Sequence, residues 1–220
     1  MDNTDFISIW KQQDAKIEKA LAINHYLLRE TINQKAKSTL QPLVRLKTVG
    51  IVAVVLFLIL LGFALFFAIK YYAPGHTYFI VSVACIALIN LKALADYIKH
   101  LVWVNNINYD GSVVAIQEQL TKLQLSIIRH GKIMCLQFPF YTTFFLSSTW
   151  FPQQVAWPYL VFQGIMTGGF VYLSYWLYKN HTPENLDKKW FRTMIAGSGG
   201  KSVMQALAFY REMEAFKKEE

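Results

Sequence analysis

The chain has 220 residues, 54% of them hydrophobic and only 16% charged, with a mean hydropathy of +0.27. Soluble domains average about 45–50% apolar and about 25% charged residues, so this composition excludes an ordinary soluble globular domain. Six Trp and 15% aromatic residues exclude a disordered chain, which lacks the apolar surface that offsets ordering entropy.

Residues 5–41 contain neither Gly nor Pro, and Trp10, Ile17, Leu21, Leu28, Ile32 and Ala36 recur at helical spacing along one stripe. This predicts an amphipathic cytoplasmic helix within residues 1–46, and Pro42 is expected to end or bend it before the membrane. Between Lys47 and Lys70 lie 22 residues without a charge, and about 20 suffice to cross the hydrocarbon. A second apolar run begins at Tyr78 and reaches Asn90, Lys92 and Asp96. After Asp110-Gly111, Ser112 is expected to cap a helix that carries Val113, Ile116, Leu120, Leu123 and Ile127 on one face and is able to run on into the next span.

Ile133 to Tyr178 holds 46 uncharged residues, enough for two spans, divided by the Pro152–Pro158 stretch. The expected architecture is therefore all-α. It is a four-helix transmembrane bundle spanning 49–70, 78–98, 133–151 and 159–178 within residues 47–178, with a cytoplasmic helical loop at 99–132. A cytoplasmic tail follows at 179–220, with Val203, Leu207 and Tyr210 on one side of a short helix.

Lys and Arg set the orientation. Eight fall in residues 1–47, four in 99–132 and eight in 179–220, leaving Lys70 and Lys92 elsewhere. Both termini are thus expected on the cytoplasmic side of a plasma membrane. The polar first 45 residues predict no secretory leader. The net charge of +8 follows the span ends, so the lipid bilayer accounts for it and no nucleic-acid partner is expected. Cys85 and Cys135 are read as packed thiols that do not pair.

No residue cluster announces a reaction, and neither an enzyme nor a cofactor or metal is expected. Gly200-Lys201-Ser202 resembles the end of a phosphate-binding loop, but position 195 is Ile and no strand precedes it; the glycines read as a flexible joint. Asn90, Lys92 and Asp96 are the polar group of the membrane sequence. Lys92 and Asp96 share a helix face and are able to pair. With Asp96 near the inner surface and no charge on the other spans, a self-paired anchor is the expected role, a transport path the alternative. Gly164 and Gly168 form a small-xxx-small pair for close helix packing or dimerisation. Pro139 is expected to kink its span, with Thr142 and Thr143 satisfying freed carbonyls. His25, His100, His130 and His181 read as solvated or interfacial.

Ile9-Trp10-Lys11-Gln12-Gln13, Asn24-His25-Tyr26-Leu27-Leu28, Gln117 to Leu123 and Asp187 to Arg192 together give a layout that resembles a family of small four-span inner-membrane proteins from Bacteroidota. That family carries no assigned activity. The resemblance implies a bacterial inner membrane and a regulatory neighbourhood involving sigma factors. The expected function is a non-catalytic anchor or scaffold whose cytoplasmic helices self-associate or bind a cytoplasmic protein; the alternative is a small transporter or channel using the polar patch on the second span.

Overall fold

A computed structural model describes residues 3–218, with side chains described for 10–215; residues 1–2 and 219–220, the outer ends of the two segments expected to be cytoplasmic, lie outside it. The described residues are mostly helical, with no strand among them. Six α-helices follow one another: α1 (Asn3–Lys70), α2 (Thr77–Asn105), α3 (Val113–Met134), α4 (Trp157–Asn180), α5 (Lys189–Ala196) and α6 (Gly200–Lys218). Three of them, α1, α2 and α4, are long and apolar enough to cross a membrane.

The amphipathic helix and the first span are one element. α1 runs through Pro42 without a break, so the proline does not end the helix as its missing N–H led us to expect. Leu40 and Leu43 are fully buried on either side of it, and this packing holds the helix together across the lost hydrogen bond. At 1.5 Å per residue the 68 residues extend about 100 Å.

The stripe of α1 divides into two. From Ile32 through Ala36, Leu40 and Leu43 it enters a core shared with Ile116, Leu120, Leu123 and Ile127 of α3, Phe191 and Ile195 of α5, and Val203, Leu207 and Tyr210 of α6. α6 packs on both α1 and α3, so the tail is part of this core and not an appended segment. Tyr210 donates a hydrogen bond to Asn33 Oδ1 at 2.9 Å, and Asn33 Nδ2 donates to the Tyr109 carbonyl at 3.1 Å. Burial pushes the Tyr210 phenol well up from its ordinary value, which keeps it a donor. Ser112 caps α3 by accepting from the Ala115 N–H at 3.2 Å.

The glycine run before α6 is a packed turn, not the expected flexible joint. Gly199 has φ +92°, and a Cβ there would lie 2.0 Å from Leu43 Cδ1. Only glycine fits that backbone at that distance from α1.

The segment 133–151, expected as a spanning helix, is not one. α3 stops at Met134 and passes into a 3-10 helix, Cys135–Thr142, which contains Pro139, and turns follow. This stretch nonetheless runs alongside α2 in antiparallel register. His130 meets Asp96, Gln137 meets Asn90, Thr143 meets Ser82 and the Ser148 hydroxyl reaches the Pro74 carbonyl. From Asp96 to Pro74 is about 33 Å along a helix. Eighteen residues cover it at about 1.8 Å each, between the rises of an α-helix and a 3-10 helix.

Candidate functional site

A buried polar centre forms where α1, α2 and α3 meet. α2 contributes Asp96, Tyr97 and His100, four residues apart at its ends and hence on one face; α1 contributes Lys47, and α3 contributes Ser126 and His130. Lys47 is 1% exposed and Asp96 3% exposed. The Lys47 ammonium sits 4.3 Å from the centroid of the Tyr97 ring, whose negative face attracts a cation. Gly50, one turn further along α1, lets this ring approach: a Cβ there would lie 2.7 Å from Tyr97 Cε2.

Asp96 organises the centre. One carboxylate oxygen pairs with Lys92 and accepts from Lys99 at 3.3 Å. The other accepts from His130 Nδ1 at 3.3 Å. His100 Nε2 is 2.9 Å from the Ser126 hydroxyl, while its Nδ1 is buried with no hydrogen-bond partner. The two imidazoles stand edge to face, 6.1 Å apart, and the Tyr97 ring lies 4.9 Å from that of His130. Desolvation lowers the His130 pKa to about 4, with Lys47 adding in the same direction against the opposing pull of Asp96. His130 is thus neutral at physiological pH and donates its Nδ1 proton to an ionised carboxylate.

One sequence expectation is corrected here. Besides Lys92 on its own helix, Asp96 is met by His130 of α3. His100 and His130 are buried, 0% and 4% exposed, and not solvated. Lys47, counted in the sequence as one of the basic residues flanking a span, gives no sign of this role; burial of His130 depends on α2 packing against its helix, which periodicity alone does not reveal. Among the described residues no group of three His, Cys, Asp or Glu is arranged to hold a metal ion.

Asn90 belongs to a polar seam that continues from this centre along the irregular segment. Its Nδ2 donates to the Ile86 carbonyl at 2.9 Å and to Gln137 Oε1 at 3.2 Å. The seam satisfies backbone groups that the broken helix leaves free. Thr142 Oγ1 donates to the Pro139 carbonyl at 2.7 Å and Thr143 Oγ1 to the same oxygen at 3.5 Å. Gln163 of α4 donates to the Thr142 carbonyl at 2.6 Å and Ser174 to that of Cys135 at 2.9 Å.

Gly164 and Gly168 face open space, with nothing within 4 Å of a Cβ built on either, so they pack against no helix of this chain. Cys85 and Cys135 are both free thiols, and Cys135 donates to the Gly131 carbonyl.

Neither a family model, a curated protein nor a solved structure matches this chain. Geometry and charge are the only guides to its function. The centre offers a buried carboxylate, two neutral imidazoles and a desolvated ammonium, all within a helix junction, and it is suited to fixing how α1 sits on α2 and α3.

Proposed function

We propose that this protein is an integral membrane scaffold that crosses the bilayer four times and presents α1 to a second copy or to a cytoplasmic protein. Three apolar helices support three of the crossings. The fourth is the 3-10 and turn segment 135–148, which lies antiparallel to α2 between the Gln137–Asn90 and Ser148–Pro74 contacts. Irregular backbone is tolerated at membrane depth only where protein satisfies it, and Gln163, Ser174, Thr142 and Thr143 supply those bonds. Both termini lie on the cytoplasmic side of a bacterial inner membrane in this reading, in accord with the distribution of Lys and Arg.

The observation that carries the scaffold role is the abrupt change along the α1 stripe. Ile32 and Ala36 are buried, while Ile17 and Leu21 on the same stripe are 57% and 45% exposed, and Trp10 is exposed as well. The helix continues about six turns beyond the core that covers it, carrying an uncovered apolar face. Extraction in mild detergent followed by pull-down and size measurement tests this with Ile17→Asp/Leu21→Asp. Loss of a partner or a smaller particle is expected; an unchanged partner set and size rejects the scaffold. Leu28 is half-buried against the core and stays untouched, so that folding is preserved.

A small transporter or channel is the second reading, favoured by the run of polar side chains from Asp96 through Asn90 and Gln137 to Thr143. Lys92→Met in proteoliposomes separates the two: a transporter loses flux, whereas a scaffold keeps its partners.

A further inference from the structure

Between α5 and α6, with Gln124 of α3 and residues 183–187 at its border, lies a cavity of about 1040 Å³. Four cations line it: Lys189 and Arg192 from α5, Lys201 and Arg211 from α6. Asp187 is the single acid of the lining. Among the described residues none of these four cations pairs with a carboxylate. The lining carries a net charge of +3 out of the chain's +8.

The walls are firm. Phe191 and Ile195 on the reverse side of α5, and Val203 and Tyr210 on that of α6, are all buried in the core, so the basic side chains project from helices that are held in place. A concave surface of one sign focuses its field and raises the local concentration of counter-ions. Guanidinium groups bind phosphate oxygens in bidentate fashion, and lysines add point charge. Gln124 and Gln205, also in the lining, offer amide donors.

We infer that this cavity is a binding site for a phosphate-bearing anion carrying more than one negative charge or presented at high density, a function separate from the exposed stripe of α1. Two sources share this chemistry. One is the headgroup of an anionic lipid, since Trp190 of α5 lies 5.1 Å from Trp176 near the end of the α4 span, and basic pockets at that level bind such headgroups. The other is a soluble polyphosphate.

The full chain is reconstituted in phosphatidylcholine nanodiscs and titrated calorimetrically with inorganic pyrophosphate. In parallel, protein from mixed phosphatidylcholine and phosphatidylglycerol is examined by native mass spectrometry for retained phosphatidylglycerol. At least one probe binds the unaltered protein, and R192Q/K201Q weakens that binding by about thirtyfold. R192K/K201R and K16Q/K19Q, the latter on the remote part of α1, retain it. Loss of pyrophosphate binding alone identifies a soluble anion, loss of lipid retention alone a headgroup, and loss of both a cavity open to either. If R192Q/K201Q does not fold, as judged by its melting curve, R211Q replaces it with the same expectation at lower amplitude. The proposal is overturned if neither probe binds the unaltered protein, if binding survives R192Q/K201Q or its replacement, or if K16Q/K19Q reduces it equally.

Discussion

Asp96 is a single carboxylate holding four groups from three helices in relation to one another. Removing its charge takes away the anion that acts on the buried Lys47 ammonium, and an uncompensated buried charge costs about 3–5 kcal/mol; Lys92 and Lys99 are partly exposed and lose little. Asp96→Asn is therefore expected to lower the melting temperature in detergent strongly, and Lys47→Met in the same background to recover part of the loss because it removes the stranded cation. Non-recovery shows that Lys47 does not depend on Asp96. His130 gives the centre a pH dependence. Its folded pKa, about 4, lies below the ordinary histidine value of about 6.5, so between these values the unfolded chain binds a proton that the folded one does not. Stability is full above about pH 6.5 and falls as pH drops toward 4, by a few kcal/mol. A His130→Gln variant should make the fall in melting temperature across that window shallower, the remainder belonging to the buried His100 beside it, and an unchanged slope would assign the pH dependence to other groups.

Lys92 and Asp96 were readable as a pair because i, i+4 spacing is a local property. The contributions of Lys47 and His130 were not, because they depend on which helices come together 34 or more residues apart in the chain. A Lys just before a span is the usual interfacial anchor, and nothing local marks one that turns inward over a tyrosine face.

Among the elements, those set by local chemistry were the most readable. Ser112 stops and caps α3, the Ile116 to Ile127 face is the buried one, and Thr142 and Thr143 bond to the carbonyl of Pro139. Two prolines were misread in opposite senses. Pro42 lies within an intact helix because packing on both sides outweighs one lost hydrogen bond, whereas around Pro139 the α-helix gives way to a 3-10 helix and turns from Cys135 onward. Hydropathy is blind to this difference, since uncharged residues read alike whether wound as an α-helix or a 3-10 helix. The glycines before α6 were misread for a related reason: flexibility and close approach select the same residue type. Gly199→Ala meets both a left-handed backbone and the Leu43 side chain, and it is expected to destabilise by about 1–3 kcal/mol. Gly62→Ala, in open space on α1, should be neutral or slightly stabilising. Equal melting temperatures for the two variants would remove the packed-turn account.

Across the whole molecule, α1 is continuous from Asn3 to Lys70. It carries one side of the core and continues into the apolar region, and α6 returns to pack on both α1 and α3. Tyr210 is the pin of that arrangement, fully buried and bonded to Asn33. Tyr210→Ala should cost about 3–5 kcal/mol, and hydrogen exchange should rise in α1 near Asn33 and in α3 together. A rise confined to α6 would mean that the tail folds onto a core already complete without it.

The unbroken length of α1 makes it a lever. With its fulcrum in the core that holds it from Ile32 to Leu43, a sideways load taken up by its first turns passes into the apolar turns beyond Gly50 through one continuous helix, with no loop between to absorb the torque.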